Sequence, residues 1–178
     1  MIVFHVLVTT ADGYLTRRLP YRQANLEYLM QLRARGLVIA GGPAPDGRSC
    51  DLFLRVTEAS QVAPLVEGSP FFVNGLWTGY TSRTFAQFLE PWTSAPPRPD
   101  ETRLATVVEG EAADAELASF ALVEERGAGR LLLGGFFSPV QGLALMTIGE
   151  PADAVAALTA TGQFAPDTLR GRPLVHVI

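Results

Sequence analysis

Few side chains in this sequence are placed to do chemistry, and the missing types narrow the field at once. All fourteen basic residues are arginine, so neither a lysine Schiff base nor a lysine general base is available. Cys50 is the single cysteine, which excludes intrachain disulfides, CxxC redox chemistry and thiolate zinc clusters. It sits beside a turn with no adjacent His or Lys to lower its pKa, and reads as an inert thiol. The histidines are His5, in an apolar run, and His176 near the C-terminal end. Two imidazoles without a third ligand make a poor metal site, so both read as packing or interface residues and no metal is expected. Tyr14, Tyr21, Tyr28 and Tyr80 could each donate a proton, yet an ordinary pKa near 10 makes them weak acids. What remains is an arginine cluster, Arg17, Arg18 and Arg22. Guanidinium forks bind carboxylates bidentately, so the cluster could anchor a small acidic ligand; the plainer alternative is a solvated face or an ion pair with a nearby acid. Phe71, Phe72 and Trp77 could line an apolar pocket or simply fill core.

The chain of 178 residues is 48% apolar and 18% charged, which suits a globular core. A net charge of −4 supplies no basic field for a polyphosphate, so nucleic acid and anionic membrane are not expected partners. No apolar run approaches the roughly 18 residues of a spanning helix. The opening MIVFHVLVTT has no charged start or cleavage site and reads as a strand, which makes the cytosol the expected compartment. GAGRLLLGG follows a helix and lacks the third glycine of a dinucleotide fingerprint. GxSxG, HExxH and P-loop patterns do not occur, and no cofactor is expected.

The elements that must position these side chains repeat. Residues 2–9 predict a strand, and 19–35 a helix with Leu26, Leu29 and Met30 on its apolar face, stopped by Gly36. LVIA runs into Gly41, Gly42 and Pro43; Pro45-Asp46-Gly47 is a turn, and 52–56 a third strand. A short helix starts near Thr57-Glu58, kinked or delayed by Pro64, and 75–85 is a fourth strand. A shift of 93 residues carries Gly36 onto Gly129, Gly41-Gly42 onto Gly134-Gly135 and Leu65 onto Leu158. The second half then reads strand 103–108, helix 114–127, strands 130–136 and 143–148, helix 151–160 and strand 172–178. Both halves read β-α-β-β-α-β. Between them lies EPWTSAPPRPDET, a stiff segment that would span roughly 30–40 Å if extended. A sheet with helices on one face leaves its other face to be covered. We therefore expect an α+β protein of two fused units forming an intrachain pseudo-dimer: 1–90, a linker at 91–102, and 103–178.

The first ninety residues resemble the YCII-related family, small proteins of the dimeric α+β-barrel superfamily built on a ferredoxin-like unit. The resemblance rests on the opening strand, on Arg22-Gln-Ala-Asn25-Leu26, on Gly42-Pro43, and on Ser69-Pro70-Phe71 followed by Gly75. The family shows Arg-x-x-His-Leu, Gly-Pro and Asp-Pro-Phe at these places, and the His and Asp are its presumed catalytic pair. Over residues 103–178 the likeness is to the fold unit, anchored at Gly134 and Gly135. Here Asn25 stands at the His position and Ser69 at the Asp position, and neither titrates near neutrality. The second half places Ser119 and Gln163 near the matching positions, with Asp167 a few residues beyond. Arg22 is retained.

The resemblance implies a site beside the first helix that can hydrogen-bond a ligand and pair with an anion but lacks an obvious proton carrier. Arg22, Asn25, Ser69, Phe71 and Trp77 are its expected ligand-binding residues, and no catalytic residue is assigned. The leading expectation is a protein that binds a small anionic or aromatic metabolite without turnover, as a monomeric pseudo-dimer or an oligomer of it. The alternatives are lyase- or isomerase-type chemistry on a small cyclic substrate and a purely structural or interaction role.

Overall fold

Aliphatic and β-branched runs alternate with amphipathic segments, and the backbone follows that alternation. The computed structural model describes residues 1–89, 96–98 and 100–178. Much of the proline-rich stretch read as a linker, residues 90–95 and Pro99, lies outside the described residues. The rest folds as two compact units.

The first unit comprises residues 1–84, the described residues between 96 and 102, and Val175–Ile178. Its elements are β1 (Ile2–Thr10), α1 (Tyr14–Arg17), α2 (Arg22–Ala34), β2 (Val38–Pro43), β3 (Ser49–Val56), α3 (Val62–Glu67), α4 (Pro70–Val73) and the start of β4 (Trp77–Leu89). The second, residues 85–89 and 103–174, holds the end of β4, then β5 (Leu104–Glu111), α5 (Ala115–Gly127), β6 (Leu131–Phe136), β7 (Gln141–Met146), α6 (Pro151–Ala160) and β8 (Arg170–Val175). Strand order is β2-β3-β1-β4 in the first unit and β6-β7-β5-β8 in the second. Each unit thus sets its first and third strands side by side, flanked by its second and fourth. That is the ferredoxin-like order, and the chain is α+β.

In the first unit β1 and β3 are antiparallel, with Phe4 opposite Leu54, Val6 opposite Leu52 and Val8 opposite Cys50. Because strand side chains alternate, these six residues share one face, and they pack with Leu29 and Leu32 of α2, Val62 and Val66 of α3 and Phe71 of α4. The opposite face carries Val3, His5, Asp51 and Phe53, all buried. His5 is satisfied there. Its Nε2 lies 2.6 Å from Asp51 Oδ1, and Arg83 Nη2 lies 3.2 Å from its Nδ1. A guanidinium can only donate, so Nδ1 accepts and the ring proton sits on Nε2, donated to Asp51.

Two details of the first helical layer differ from the sequence reading. The segment from residue 19 opens with a 3-10 turn, Leu19–Tyr21, before α2 begins at Arg22. The buried stripe of α2 is Asn25, Leu29 and Leu32, while Met30 is exposed. The stripe is centred about one residue away from the expected one, and a polar Asn takes a core place. The helix containing Pro64 starts late, as expected: a 3-10 turn at Ala59–Gln61, closed by a capping box between Glu58 and Gln61, precedes α3.

The second unit's core gathers Val108, Ala118, Leu122, Ala144, Met146, Leu158 and Phe164. Asp114 caps α5 by accepting from the backbone N–H groups of Glu116 and Leu117, and Pro151 opens α6 at the position that needs no N–H. Among the described residues, no helix is long and apolar enough to cross a membrane.

The glycine pair ending β2 has a packing reason. Gly41 exchanges backbone hydrogen bonds with Ile178, 2.9 Å through its own N–H and 3.1 Å through its carbonyl. A Cβ on Gly42 would fall onto the Val175 carbonyl. Backbone cannot yield as a side-chain tip can, so Gly42→Ala is expected to destabilise the protein by about 1–3 kcal/mol, read as a lower urea midpoint. Gly36→Ala carries a positive φ but meets open space, and is expected to cost less.

Candidate functional site

The first unit holds a cavity of about 50 Å³. α1 and α2 supply Tyr14, Arg18, Arg22, Asn25, Leu26 and Leu29; the sheet supplies Gly42, Cys50 and Trp77; α4 supplies Phe71; and Glu101 and Ile178 complete the wall. On the measure in which one water needs about 10–15 Å³, this is room for a few waters.

The apolar side is built from aromatic edges. Tyr14 meets Phe71 edge-on with ring centroids 5.6 Å apart, and Phe71 meets Trp77 edge-on at 5.8 Å. The polar side is built from hydrogen-bond donors. Ser69 Oγ, fully buried, donates to Asn25 Oδ1 at 2.6 Å and accepts from the Phe71 N–H at 3.1 Å. With its carbonyl oxygen engaged, Asn25 offers the cavity the donor end of its amide. The Nε of Arg18 has no hydrogen-bond partner. The Trp77 indole N–H has none of good geometry either, with only the weakly accepting Cys50 sulfur bearing on it. Buried donors normally find acceptors; here two donors of residues lining one cavity lack a good one.

Charge at the mouth is balanced within the chain. Glu101 places one carboxylate oxygen 2.7 Å from Arg18 Nη2 and the other 3.1 Å from Arg22 Nε. The Arg18 guanidinium also lies 5.3 Å from the centre of the Tyr14 ring. Burial works against a charged Arg18, but the Glu101 carboxylate and Tyr14 more than offset it and raise its pKa. Arg17 is exposed and donates to the Asp12 carbonyl at 3.3 Å.

The other protic groups of the cavity are held neutral. Burial pushes the Cys50 thiol up to about 12 and raises the Tyr14 phenol above its usual value, and the two contact each other at 3.7 Å. Neither is a ready nucleophile or base near pH 7.

Of the residues singled out from sequence, Arg22, Asn25, Phe71 and Trp77 meet in this cavity, and Ser69 stands directly behind it on Asn25. The matching positions of the second unit do something else. Ser119 donates to the Ala115 carbonyl at 2.6 Å and Gln163 to the Thr161 carbonyl at 3.4 Å, each within its own segment. Asp167 is exposed on a 3-10 turn. Sequence reasoning missed Glu101, which lies in a run read as linker, and the C-terminal residues of the wall.

No protein-family model and no curated protein sequence matches the chain. Solved structures do. A protein from Lactobacillus acidophilus NCFM assigned as a monooxygenase superposes with a TM-score of 0.62 at 14% identity, covering 98% of this chain and 93% of its own. A protein assigned as a chlorite dismutase gives 0.53 at 11% identity, over 98% and 95%. The chain shares the α+β, ferredoxin-like fold of these two proteins. The 5-chloro-2-hydroxyhydroquinone dehydrochlorinase of Burkholderia phenoliruptrix AC1100 is 24% identical over 46% of this chain and 90% of its own, with a TM-score of 0.41. At these identities the likeness speaks to fold alone.

Two outcomes follow from the buried polar pairs. Ser69→Ala strands the Asn25 carbonyl and removes a cap, and is expected to cost about 1–3 kcal/mol in urea unfolding; Asn25→Leu made together with it recovers part of that loss. The Cys50 thiol ionises near its ordinary 9.0 in the unfolded chain but near 12 in the folded one. Stability is therefore full below pH 9 and falls as the pH climbs toward 12, with Tyr14 acting in the same direction. At pH 8 a thiol reagent should label the chain only in denaturant.

Proposed function

We propose that the cavity of the first unit binds a small organic anion, with an apolar or aromatic body, and does not transform it. The observation that carries this reading is the one-sidedness of its hydrogen bonding. Arg18, Arg22, Asn25 and Trp77 all present donors, with Arg18 Nε and Trp77 Nε1 lacking a good acceptor, and apart from the Glu101 carboxylate the aromatic rings and Leu26 and Leu29 line much of the rest. Such a wall recognises carboxylate or carbonyl oxygens on a flat or compact ligand.

The chemistry speaks against turnover. An acid–base step needs a group that gains and loses a proton near neutrality. The Asn25–Ser69 pair cannot, Tyr14 and Cys50 are held protonated by burial, and the Glu101 carboxylate is committed to two arginines. Arg22, Asn25 and Ser69 occupy the places of the YCII-like motif, and we read the first unit as a member of that family whose His and Asp have been replaced. The shared strand order supports a further reading of the chain as two diverged copies of one unit.

Thermal denaturation with a panel of small carboxylates tests the proposal. Benzoate or a hydroxybenzoate is expected to raise the Tm: at about 100-fold excess over Kd the stabilisation is about 2.7 kcal/mol, worth roughly 5–10 °C in a chain of this size. Arg22→Ala should abolish the rise. A panel in which no carboxylate moves the Tm would falsify the reading. The lyase or isomerase alternative would be favoured instead by consumption of a cyclic substrate that Asn25→His with Ser69→Asp accelerates.

A further inference from the structure

Glu101 occupies the place that a bound anion would take. Its two oxygens are divided between Arg18 and Arg22 at 2.7 and 3.1 Å, the arrangement by which a guanidinium pair grips a free carboxylate. Its own backbone does not favour the pose. With φ at +60°, Glu101 is the one non-glycine among the described residues in the left-handed region, where a Cβ crowds the following carbonyl. The turn beneath it is tied down, Glu101 N–H donating to the Arg98 carbonyl at 3.0 Å and Arg98 N–H to the Val177 carbonyl at 2.8 Å. The arginine contacts therefore draw the side chain into the cavity from a fixed turn with a strained residue at its end.

Size adds an independent argument. With Glu101 in place the cavity is about 50 Å³, whereas a protein cavity that accepts benzene is about 150 Å³. A ring cannot enter beside Glu101. We infer that Glu101 is an internal carboxylate plug, and that the ligand of this site is an aromatic or similarly planar carboxylate that takes over its two arginines as it swings out. This rests on the binding reading above and specifies it. The incoming carboxylate replaces one anion by another, so the buried Arg18 keeps a counter-charge throughout. A neutral ring of the same size leaves the buried Arg18 without its carboxylate counter-charge once Glu101 has left, and is disfavoured. Closing the site with a tethered anion divides the apparent affinity by the fraction of chains that stand open.

Calorimetric titration of benzoate and benzyl alcohol into the full chain and into Glu101→Gln tests this. Glu101→Gln keeps the shape and removes the competing charge. Benzoate is expected to bind it at least tenfold more tightly than the wild type, with a clearly smaller gain for benzyl alcohol. Glu101→Asp keeps a counter-charge for Arg18 but is too short to span both guanidinium groups; it should give a smaller gain, and it carries the comparison should Glu101→Gln fail to fold. Equal benzoate affinity in wild type and variants overturns the plug while leaving the binding site standing. Absence of benzoate binding in all of them removes the site itself, and the plug with it.

Discussion

A guanidinium placed among aromatic rings needs a partner, and that need organises the candidate site. Arg18 is 10% exposed along its side chain and sits against Tyr14, where an uncompensated charge would be costly. Arginine cannot escape by losing its proton, so an anion must come to it. In the closed protein that anion is Glu101, brought across 83 residues of sequence. The rest of the cavity is consistent with this demand. Donors surround the place where an anion sits, the thiol and phenol beside it stay neutral, and Asn25 and Ser69 offer an amide and a hydroxyl bonded to each other.

The fold supplies the position and leaves the chemistry to the side chains. Two units of one chain share a strand order, and solved proteins assigned to unrelated reactions share the fold. Yet the polar residues at corresponding points differ in kind. In the first unit Asn25 and Ser69 reach across from helix to helix; in the second Ser119 and Gln163 turn back onto their own backbones. Function in such a framework has to be argued from the residues at the site.

The order of elements was legible because it depends on local signals. Apolar runs, turn residues and glycines at helix ends mark boundaries without knowledge of what packs where, and Gly36 and Gly129 do take the positive φ expected after a helix. The facing of α2 was less legible. Leu26, Leu29 and Met30 form a fair helical stripe, but periodicity does not say where its centre lies, and the pairing of Asn25 with Ser69 draws that centre toward a polar residue. That pairing itself was approached only through the resemblance, since no local signal joins positions 44 residues apart. Glu101 was beyond reach. Its role depends on a left-handed residue and on two arginines some eighty residues away, within a composition that otherwise signals a connecting segment.

A crystal structure of the full chain grown in saturating benzoate examines the central claim at atomic level. The account predicts a carboxylate held between Arg18 and Arg22, its ring against Phe71 and Trp77, and the Glu101 side chain turned out to solvent. Glu101 still seated on both arginines, with benzoate elsewhere or absent, would contradict it.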